Sequence, residues 1–406
     1  MKRSLTNPSQ NGGHCQPIFF EYPDNPEIGF FELRNWHTLK SEIESNNISC
    51  EWVAQPGVRG IYSEAKFAQA KAAVETVKRT TPELGDMMQF ITDPAELAKY
   101  HHPKAQGAVV TSVAARVWPY KFVAHILQEL LTSDQLRGSF NLQTLTPAER
   151  ISPSSDGKKW LVSTPRGTIE AKTLALATNA YTSHLLPSYS DLIIPCRGQM
   201  SALQPPPSLS TPSNRLKTSQ GFEGDGLDDY LIQRPTEKGG HLMFGGGRTL
   251  DASLNVTDDS VISPETAAYL RRELLDAFQL PESADEKAEL HAVREWTGIM
   301  GFSRDEVPWV GPVEEKEGVF VSAGFTGHGM PNTWLCGKAV AGMVLGYLQG
   351  EVGTEVLERA RKETGLPGVY ATGRERVGRA MEGESVEVRD GREKARGERI
   401  REEAER

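Results

Sequence analysis

An apolar strand that runs into a glycine-rich turn and then a helix is the clearest candidate for chemistry. Residues 318–324 read as the strand, Gly327, His328 and Gly329 follow, and a helix is predicted over 332–348. Glycine lets the backbone approach a ligand closely, and a helix N-terminus offers unpaired N–H groups and a positive dipole end. Such a terminus suits an anion. An ordinary strand-to-helix turn has the same pattern, so this motif alone favours neither interpretation.

Four shorter segments add weaker signals, because each also reads as a loop or a hairpin turn. The strongest of them follows the apolar run 173–177, which is typical of a buried parallel strand. Ligands of open α/β sheets bind just past the carboxyl ends of such strands. The four segments are Thr178-Asn179-Ala180-Tyr181, Arg197-Gly198-Gln199, Gly245-Gly246-Gly247-Arg248 and Asn11-Gly12-Gly13-His14.

Hydrophobic periodicity predicts the elements that position these segments. Residues 31–46, 63–79, 120–131 and 264–278 read as helices, and Asp93 caps a short helix with Glu96 as its capping-box partner. Residues 230–234 and 241–244 read as two antiparallel strands. The sequence therefore predicts an α/β protein that also contains antiparallel sheet.

Composition limits the class of protein. The 406 residues carry a net charge of −9, which argues against nucleic acid as a partner. No apolar run reaches the length of a membrane span, and no secretory leader opens the chain. The four cysteines have no metal-ligand or redox spacing, so we expect reduced thiols in a cytoplasmic protein and no metal.

Taken in order, these segments resemble the D-amino-acid oxidase-like (DAO) superfamily of FAD-dependent oxidoreductases, near the sarcosine and γ-glutamylputrescine oxidases. The resemblance covers roughly residues 9–350, with blocks in family order. They are SQNGGHCQP (9–17), AARVWPYKFV (114–123), NLQTLTPAER (141–150), TLALATNAYT (173–182), IIPCRGQM (193–200), GGGR (245–248), EWTGIMGFSRDEVPWVG (295–311) and GFTGHGMPN (324–332).

The resemblance implies an FAD-binding domain interleaved with an antiparallel-sheet substrate domain. The expected FAD domain comprises 1–49, 107–192 and 306–350, and the substrate domain 50–106 and 193–305. Residues 351–406 form a charged tail, of which 374–406 is expected to be disordered. The expected cofactor-binding residues are Asn11, Gly12, Gly13 and His14 along the pyrophosphate and flavin, Ala148, Thr178 and Asn179 toward the adenosine, and Gly327, Gly329 and Met330 at the flavin ring.

The resemblance also implies the reaction. A neutral amine or amino acid transfers a hydride equivalent to the flavin, the imine hydrolyses, and oxygen or another acceptor reoxidises the flavin. The expected site residues are His328, which hydrogen-bonds near the flavin, Tyr230 and Trp296, which wall the substrate pocket, and Arg234, a candidate cation. Arg248 and Arg294 are alternative cations, and each of the three arginines also reads as a structural or surface residue.

One departure from the family pattern concerns the phosphates. The family opens with a strand, a GxGxxG turn and a helix, whereas no GxGxxG occurs before Asn11. We therefore expect an incomplete Rossmann-like domain without its first βαβ unit, from a truncation or a gene-model error, and weak FAD binding by this chain. The alternative is a non-catalytic fragment that acts at most as a binding partner.

Overall fold

The structure is a computed structural model that describes residues 11–134, 139–281 and 288–404, with side chains described up to residue 399. The chain divides into two compact units. Among the described residues, the small-sheet unit comprises His125–Cys196 and Ile299–Arg389, and the large-sheet unit comprises 11–124, Arg197–Gly298 and 390–404. The predicted division into FAD and substrate domains has other boundaries and stays a prediction.

Strands and helices alternate irregularly along the described residues. The strands are β1 (His14–Cys15), β2 (Val53–Ile61), β3 (Met88–Ile91), β4 (Gly107–Arg116), β5 (Arg150–Pro153), β6 (Trp160–Thr164), β7 (Gly167–Ala171), β8 (Leu174–Leu176), β9 (Ile193–Leu203), β10 (Ser219–Gly224), β11 (Leu227–Gln233), β12 (Leu242–Gly245), β13 (Ala292–Ser303), β14 (Trp309–Pro312) and β15 (Val319–Ala323). The α-helices are α1 (Pro26–Ser45), α2 (Glu64–Thr80), α3 (Pro82–Gly85), α4 (Pro94–Lys99), α5 (Pro119–Thr132), α6 (Thr182–Leu185), α7 (Pro264–Ala277), α8 (Thr333–Leu348), α9 (Thr354–Thr364), α10 (Arg374–Glu382) and α11 (Val386–Ala404).

A nine-stranded sheet forms the frame of the large-sheet unit. Its order is β1-β4-β2-β10-β11-β12-β9-β13, and β3 pairs with β4. The β11–β12 pair is antiparallel, with Tyr230 opposite Gly245, as the alternating pattern predicts. Leu231, Phe244 and Phe222 of this sheet are buried together with Leu270 and Leu274 of α7. The sheet is therefore anchored by apolar side chains on one face.

The small-sheet unit contains a three-stranded sheet in the order β14-β15-β8 and a separate antiparallel meander, β5-β6-β7. The β8–β15 pair is parallel, with Leu174 opposite Val319. This confirms the predicted buried parallel strand. Leu176, Val321 and Trp309 are buried together in the core of this unit. The predicted mixed α/β class with antiparallel sheet is confirmed.

Local capping signals explain where the helices begin. The Ser63 side chain accepts a hydrogen bond from Lys66 N, and Asp93 Oδ1 accepts from Ala95 N and Glu96 N at 3.0 and 3.1 Å. Both are ordinary N-cap contacts. The Glu96 carboxylate pairs with Lys99 at 3.3 Å instead of completing the predicted capping box. In the described part of the chain, no helix combines the length and apolarity needed to cross a bilayer.

The C-terminal stretch is helical, which differs from the disordered tail predicted over 374–406. Arg376 of α10 is 4% exposed and forms a two-pronged ion pair with Asp305, at 2.8 and 2.9 Å. Its guanidinium also donates to three backbone carbonyls and lies 3.7 Å from the centre of the Trp309 ring. The even charge pattern of the tail did not indicate this docking, because the acidic partner Asp305 lies 71 positions earlier in the chain.

Replacing Arg376 by alanine should lower the free energy of unfolding of the small-sheet unit by about 3 kcal/mol, because Asp305 and three carbonyls lose their partner. Urea denaturation followed by Trp fluorescence measures this change. The matched control is Arg379→Ala, since Arg379 is exposed on the same helix. Equal stabilities of the two variants would show that α10 is not docked.

Candidate functional site

Asn179 fastens the turn that follows β15. Its side-chain oxygen accepts hydrogen bonds from Gly324 N at 3.0 Å and Phe325 N at 3.4 Å. Asn179 itself has a left-handed backbone, with φ of 43°, which asparagine tolerates better than most residues. The residue was predicted to lie near the adenosine. In the structure it positions the glycine-rich loop, and its role toward a cofactor stays a prediction.

The loop formed by residues 324–330 has an unusual backbone. Thr326 is left-handed with φ of 49°, and Gly327 follows with φ of 76°. Three hydrogen bonds hold Thr326, from its N to Gly301 O, from Ser303 N to its Oγ1, and from its Oγ1 to Gly324 O. A strained residue that its surroundings determine this firmly is typical of a functional site.

Gly327 leaves open space at the surface of this loop. It is exposed, and a β-carbon there would meet only Met300 Sδ, at 3.6 Å. A glycine packed by its own protein would show closer neighbours. The backbone is therefore accessible to a flat ligand from outside the loop.

The remainder of the loop leads into α8. His328 N donates to Phe325 O at 2.7 Å, and His328 O accepts from Asn332 Nδ2 at 3.0 Å. Asn332 Oδ1 in turn accepts from the buried Tyr370 hydroxyl at 3.0 Å. Gly329 and Met330 are half-buried just before the helix begins. The loop is thus held at both ends, by Asn179 and by Asn332.

Two other predicted adenosine-side residues lie in the same unit. The hydroxyls of Thr178 and Thr182 lie 2.9 Å apart, and Ala148 packs partly buried against the core that contains Trp160. Neither contact identifies a ligand, so both roles stay predictions.

In the large-sheet unit, Tyr230 contacts the first residues that the structure describes, Asn11–His14. Its hydroxyl accepts from Gly12 N at 3.3 Å and contacts Met200 Sδ at 3.0 Å. A β-carbon at Gly12 would lie 2.6 Å from both Tyr230 Cε2 and Met200 Cε, so only glycine fits there. The His14 ring lies 5.7 Å from the Tyr230 ring, and Asn11 Oδ1 accepts from Gly13 N at 2.6 Å. The predicted segment Asn11–His14 and Tyr230 therefore form one cluster.

Burial sets the protonation state of Tyr230. Desolvation raises its pKa to about 12, although the hydrogen bond from Gly12 N opposes the shift. The phenol is therefore neutral at physiological pH. Tyr230 can wall and orient a bound molecule, but it is not a base.

A buried carboxyl underlies the Gly246–Gly247 turn. Asp229 is 2% exposed, and its two oxygens accept from Gly247 N at 2.9 Å and from the Tyr269 hydroxyl at 2.6 Å. A β-carbon at Gly246 would overlap this carboxyl. The glycines were interpreted as backbone pressed against a flat ligand, whereas here they make room for Asp229. Burial raises the pKa of Asp229 to about 7.

Two of the three cations suggested by the sequence have partners within the protein, and the third, Arg294, is exposed on β13. Arg234 pairs with Glu51 at 2.9 Å and stacks over Trp118, and Arg248 pairs with Asp390 of α11. Trp296 lies half-buried on β13. The expected roles of Arg234 and Trp296 stay predictions. No separate signal in the sequence pointed to Met200, Asp229 or Arg116, although the family-like blocks contain Met200 and Arg116.

Comparison with protein-family models decides the family. The model described as "FAD dependent oxidoreductase", DAO, matches residues 6–343. The chain belongs to this family. The resemblance inferred from the ordered blocks is thereby confirmed, and the family's cofactor is FAD.

Individual relatives of this DAO chain are distant. The probable oxidoreductase OrdL of Rhizobium meliloti (strain 1021) is 27% identical over 212 residues, which is 51% of this chain and 43% of that protein. Among solved structures, glycine oxidase from Geobacillus kaustophilus is 18% identical, with 86% of each chain covered and a TM-score of 0.65. Iminodiacetate oxidase from Chelativorans sp. BNC1 is 15% identical, covers 85% of this chain and 88% of that one, and has a TM-score of 0.64. The structural matches support the fold.

The geometry of the loop 324–330 is compatible with the ring end of FAD, and its role as the flavin-binding loop stays a prediction. The open side of Gly327 admits a flat ring, and the N-terminus of the 16-residue α8 follows three residues after Met330. A reduced flavin carries negative charge, which the positive end of a helix dipole stabilises. The same loop lacks bulky side chains at Gly327 and Gly329, so its backbone can approach the ring.

Replacing Asp229 by asparagine should remove a pH dependence of stability. The unfolded-state pKa of Asp is about 3.9, so a folded-state value of about 7 favours the fold at low pH, and this contribution is lost as pH rises through 7. Relative to wild type, D229N should gain about 2–4 kcal/mol in free energy of unfolding between pH 4 and 8. Denaturant titrations across that range measure the gain. Asp24→Asn, at an exposed position, is the matched control for the loss of one carboxylate. A pH-independent difference between D229N and wild type would contradict the burial of the Asp229 carboxyl.

Proposed function

We propose that this DAO chain oxidises the C–N bond of an amine or amino acid to an imine, with FAD as cofactor and oxygen or another acceptor as the final oxidant. The observation that carries the proposal is the loop 324–330, in which a strained, firmly held Thr326 precedes the open Gly327 and the start of α8. The names of the related oxidases, which include a glycine oxidase and an iminodiacetate oxidase, support the amine substrate class.

The chemistry divides between the cofactor and the chain. FAD, when bound, supplies the two-electron acceptor for the substrate's C–N bond. The chain would hold the flavin ring with Gly327, His328, Gly329 and Met330. The remaining predicted contacts to the cofactor come from Asn11–His14 and from Ala148, Thr178 and Asn179.

The large-sheet unit would bind the amine. Tyr230 is neutral and fixed between Gly12 N and Met200 Sδ, so it presents a rigid aromatic wall. Trp296 is proposed as a second wall. The amine loses two electrons and two protons in becoming the imine, and water then releases the carbonyl product and the nitrogen fragment. No side chain is assigned as a base, because the neutral form of the amine already carries the lone pair that the reaction needs.

Two further expectations accompany this proposal. The substrate is a small molecule, with no nucleic acid or membrane partner. The four cysteines are buried and none is in a disulfide, which supports a cytoplasmic location.

An amine panel tests the activity directly. The purified chain is supplied with excess FAD and a panel of primary amines, N-methyl amines and amino acids, and carbonyl product is quantified together with hydrogen peroxide or a reduced dye. At least one amine should give carbonyl product in equal amount to the acceptor reduced. Failure of every amine, with no change in flavin fluorescence, would support the alternative of a non-catalytic fragment.

The FAD affinity of a glycine variant tests whether the flavin binds at the loop 324–330. Gly327→Asn keeps a left-handed backbone accessible but places a side chain in the open space, so we expect at least a tenfold loss of FAD affinity. Gly350→Asn is the matched control, because Gly350 is also left-handed, with φ of 97°, and a β-carbon there meets nothing within 4 Å. Equal effects of the two variants would remove the loop from the proposed site.

A further inference from the structure

Two arginines of the large-sheet unit converge on one backbone carbonyl. Arg116 Nη1 donates to Gln233 O at 2.7 Å, and Arg215 Nη2 donates to the same oxygen at 2.9 Å. Arg215 Nη2 also donates to Arg234 O at 2.8 Å. The two guanidinium groups are therefore neighbours, at a spacing that one oxyanion can bridge.

In the part of the chain that the structure describes, neither guanidinium has an acidic partner. Within the described residues, no carboxylate oxygen lies within ion-pair distance of Arg116 or Arg215. The nearby Glu51 is already shared by Arg234 at 2.9 Å and Lys121 at 3.5 Å. The charge of Glu237 opposes the lowering of the pKa of both arginines, but Glu237 is exposed and forms no ion pair with either of them. This group of side chains thus contains four cations but only two carboxylates. The cations are Arg116, Arg215, Arg234 and Lys121, and the carboxylates are Glu51 and Glu237.

Arg116 is the residue that most needs a counter-ion. It is 9% exposed, its Nε is buried without a hydrogen-bond partner, and Nη1 makes its one hydrogen bond within the described residues. Burial, and next the charge of Arg215, lower the pKa of Arg116 to about 10, so it remains charged at neutral pH. Proteins rarely bury a charge that is not paired, and a planar guanidinium matches the two oxygens of a carboxylate.

The strand register relates the pair to the residues proposed to bind the amine. Arg116 is directly opposite His14 in the β1–β4 pair, so both side chains project on the same face, and the His14 ring lies 5.7 Å from the Tyr230 ring. Gln233 lies three residues beyond Tyr230 on β11, which corresponds to about 10 Å along a strand. If the hydrogen bond to the anion takes up about 3 Å of this spacing, roughly 7 Å remains, which is the length of about six bonds of an extended carbon chain.

We propose that Arg116 and Arg215 bind an oxyanion, and that this oxyanion is a carboxylate carried by the amine substrate about six bonds from the carbon that is oxidised. The substrate class is then an amine with a remote carboxylate, because this spacing places the anion away from the reacting carbon. The oxyanion site stands on its own geometry, whereas its link to the substrate rests on the function proposed above.

The substrate part is tested with two amines that differ only in charge. In 6-aminohexanoate the carboxylate lies at the required distance, and 6-aminohexanamide is its neutral counterpart. Wild type should oxidise the carboxylate with a kcat/KM at least tenfold above that of the amide, mainly through KM. Arg116→Met should reduce this preference to about one, whereas Arg79→Met, at an exposed position of α2, should keep it. A wild-type preference below twofold would overturn the substrate assignment.

The oxyanion site is tested without turnover. Calorimetric titration of the chain with adipate, and separately with sulfate, measures binding to wild type, Arg116→Met, Arg215→Met and Arg79→Met, with folding of each checked by circular dichroism. Adipate affinity should fall about 10- to 100-fold in the first two variants and stay unchanged in the third. Arg116→Lys should retain part of the affinity, because it keeps the charge but loses the fork.

The two experiments separate the outcomes. Adipate binding that depends on Arg116, without oxidation of any amine, would keep the oxyanion site and contradict the proposed function. Oxidation without a carboxylate preference or adipate binding would keep the function and overturn this inference. Sulfate binding that depends on Arg116, with no binding of adipate, would assign the site to an inorganic oxyanion and overturn its link to the substrate.

Discussion

One amide oxygen organises the small-sheet unit. Asn179 follows β8, Gly324 follows β15, and the hydrogen bonds from Gly324 N and Phe325 N to Asn179 Oδ1 tie the ends of these two parallel strands together. Gly301 of β13 also approaches this oxygen so closely that a β-carbon there would lie 2.7 Å from it. The left-handed Thr326–Gly327 backbone and the start of α8 depend on this attachment. The loop that we propose for the flavin is therefore set by a neutral polar contact and not by charge.

In the large-sheet unit, several partly buried arginines are neutralised by carboxylates of the same chain. Arg59 is paired with Glu223, Arg234 with Glu51 and Arg248 with Asp390. Arg116 and Arg215 are exceptions, since both bond to a carbonyl. A buried guanidinium that its own protein leaves without an acid is informative about what the protein binds, because the cost of burying that charge is met when an anion arrives.

Local signals predicted the elements that depend on neighbours in sequence, such as β8, the Asp93 cap and the β11–β12 pair. The long strand β2 was not predicted. Pro56 and Gly57 interrupt its sequence pattern, and the structure accommodates them at an irregularity in the β2–β4 pairing between Gln55 and Gly57. The docking of Arg376 and the unpaired charge of Arg116 were also beyond the sequence, because each depends on residues far away in the chain. The family and the class of cofactor were predictable, since the glycine-rich blocks occur in family order.

The central claim, that the loop 324–330 receives the flavin, is tested most directly by hydrogen–deuterium exchange of the chain with and without millimolar FAD. We expect slower exchange in two segments, residues 324–336 and residues 11–16, and a smaller effect of lumiflavin confined to the first. Unchanged exchange in residues 324–336 at an FAD concentration that saturates the chain would contradict the account.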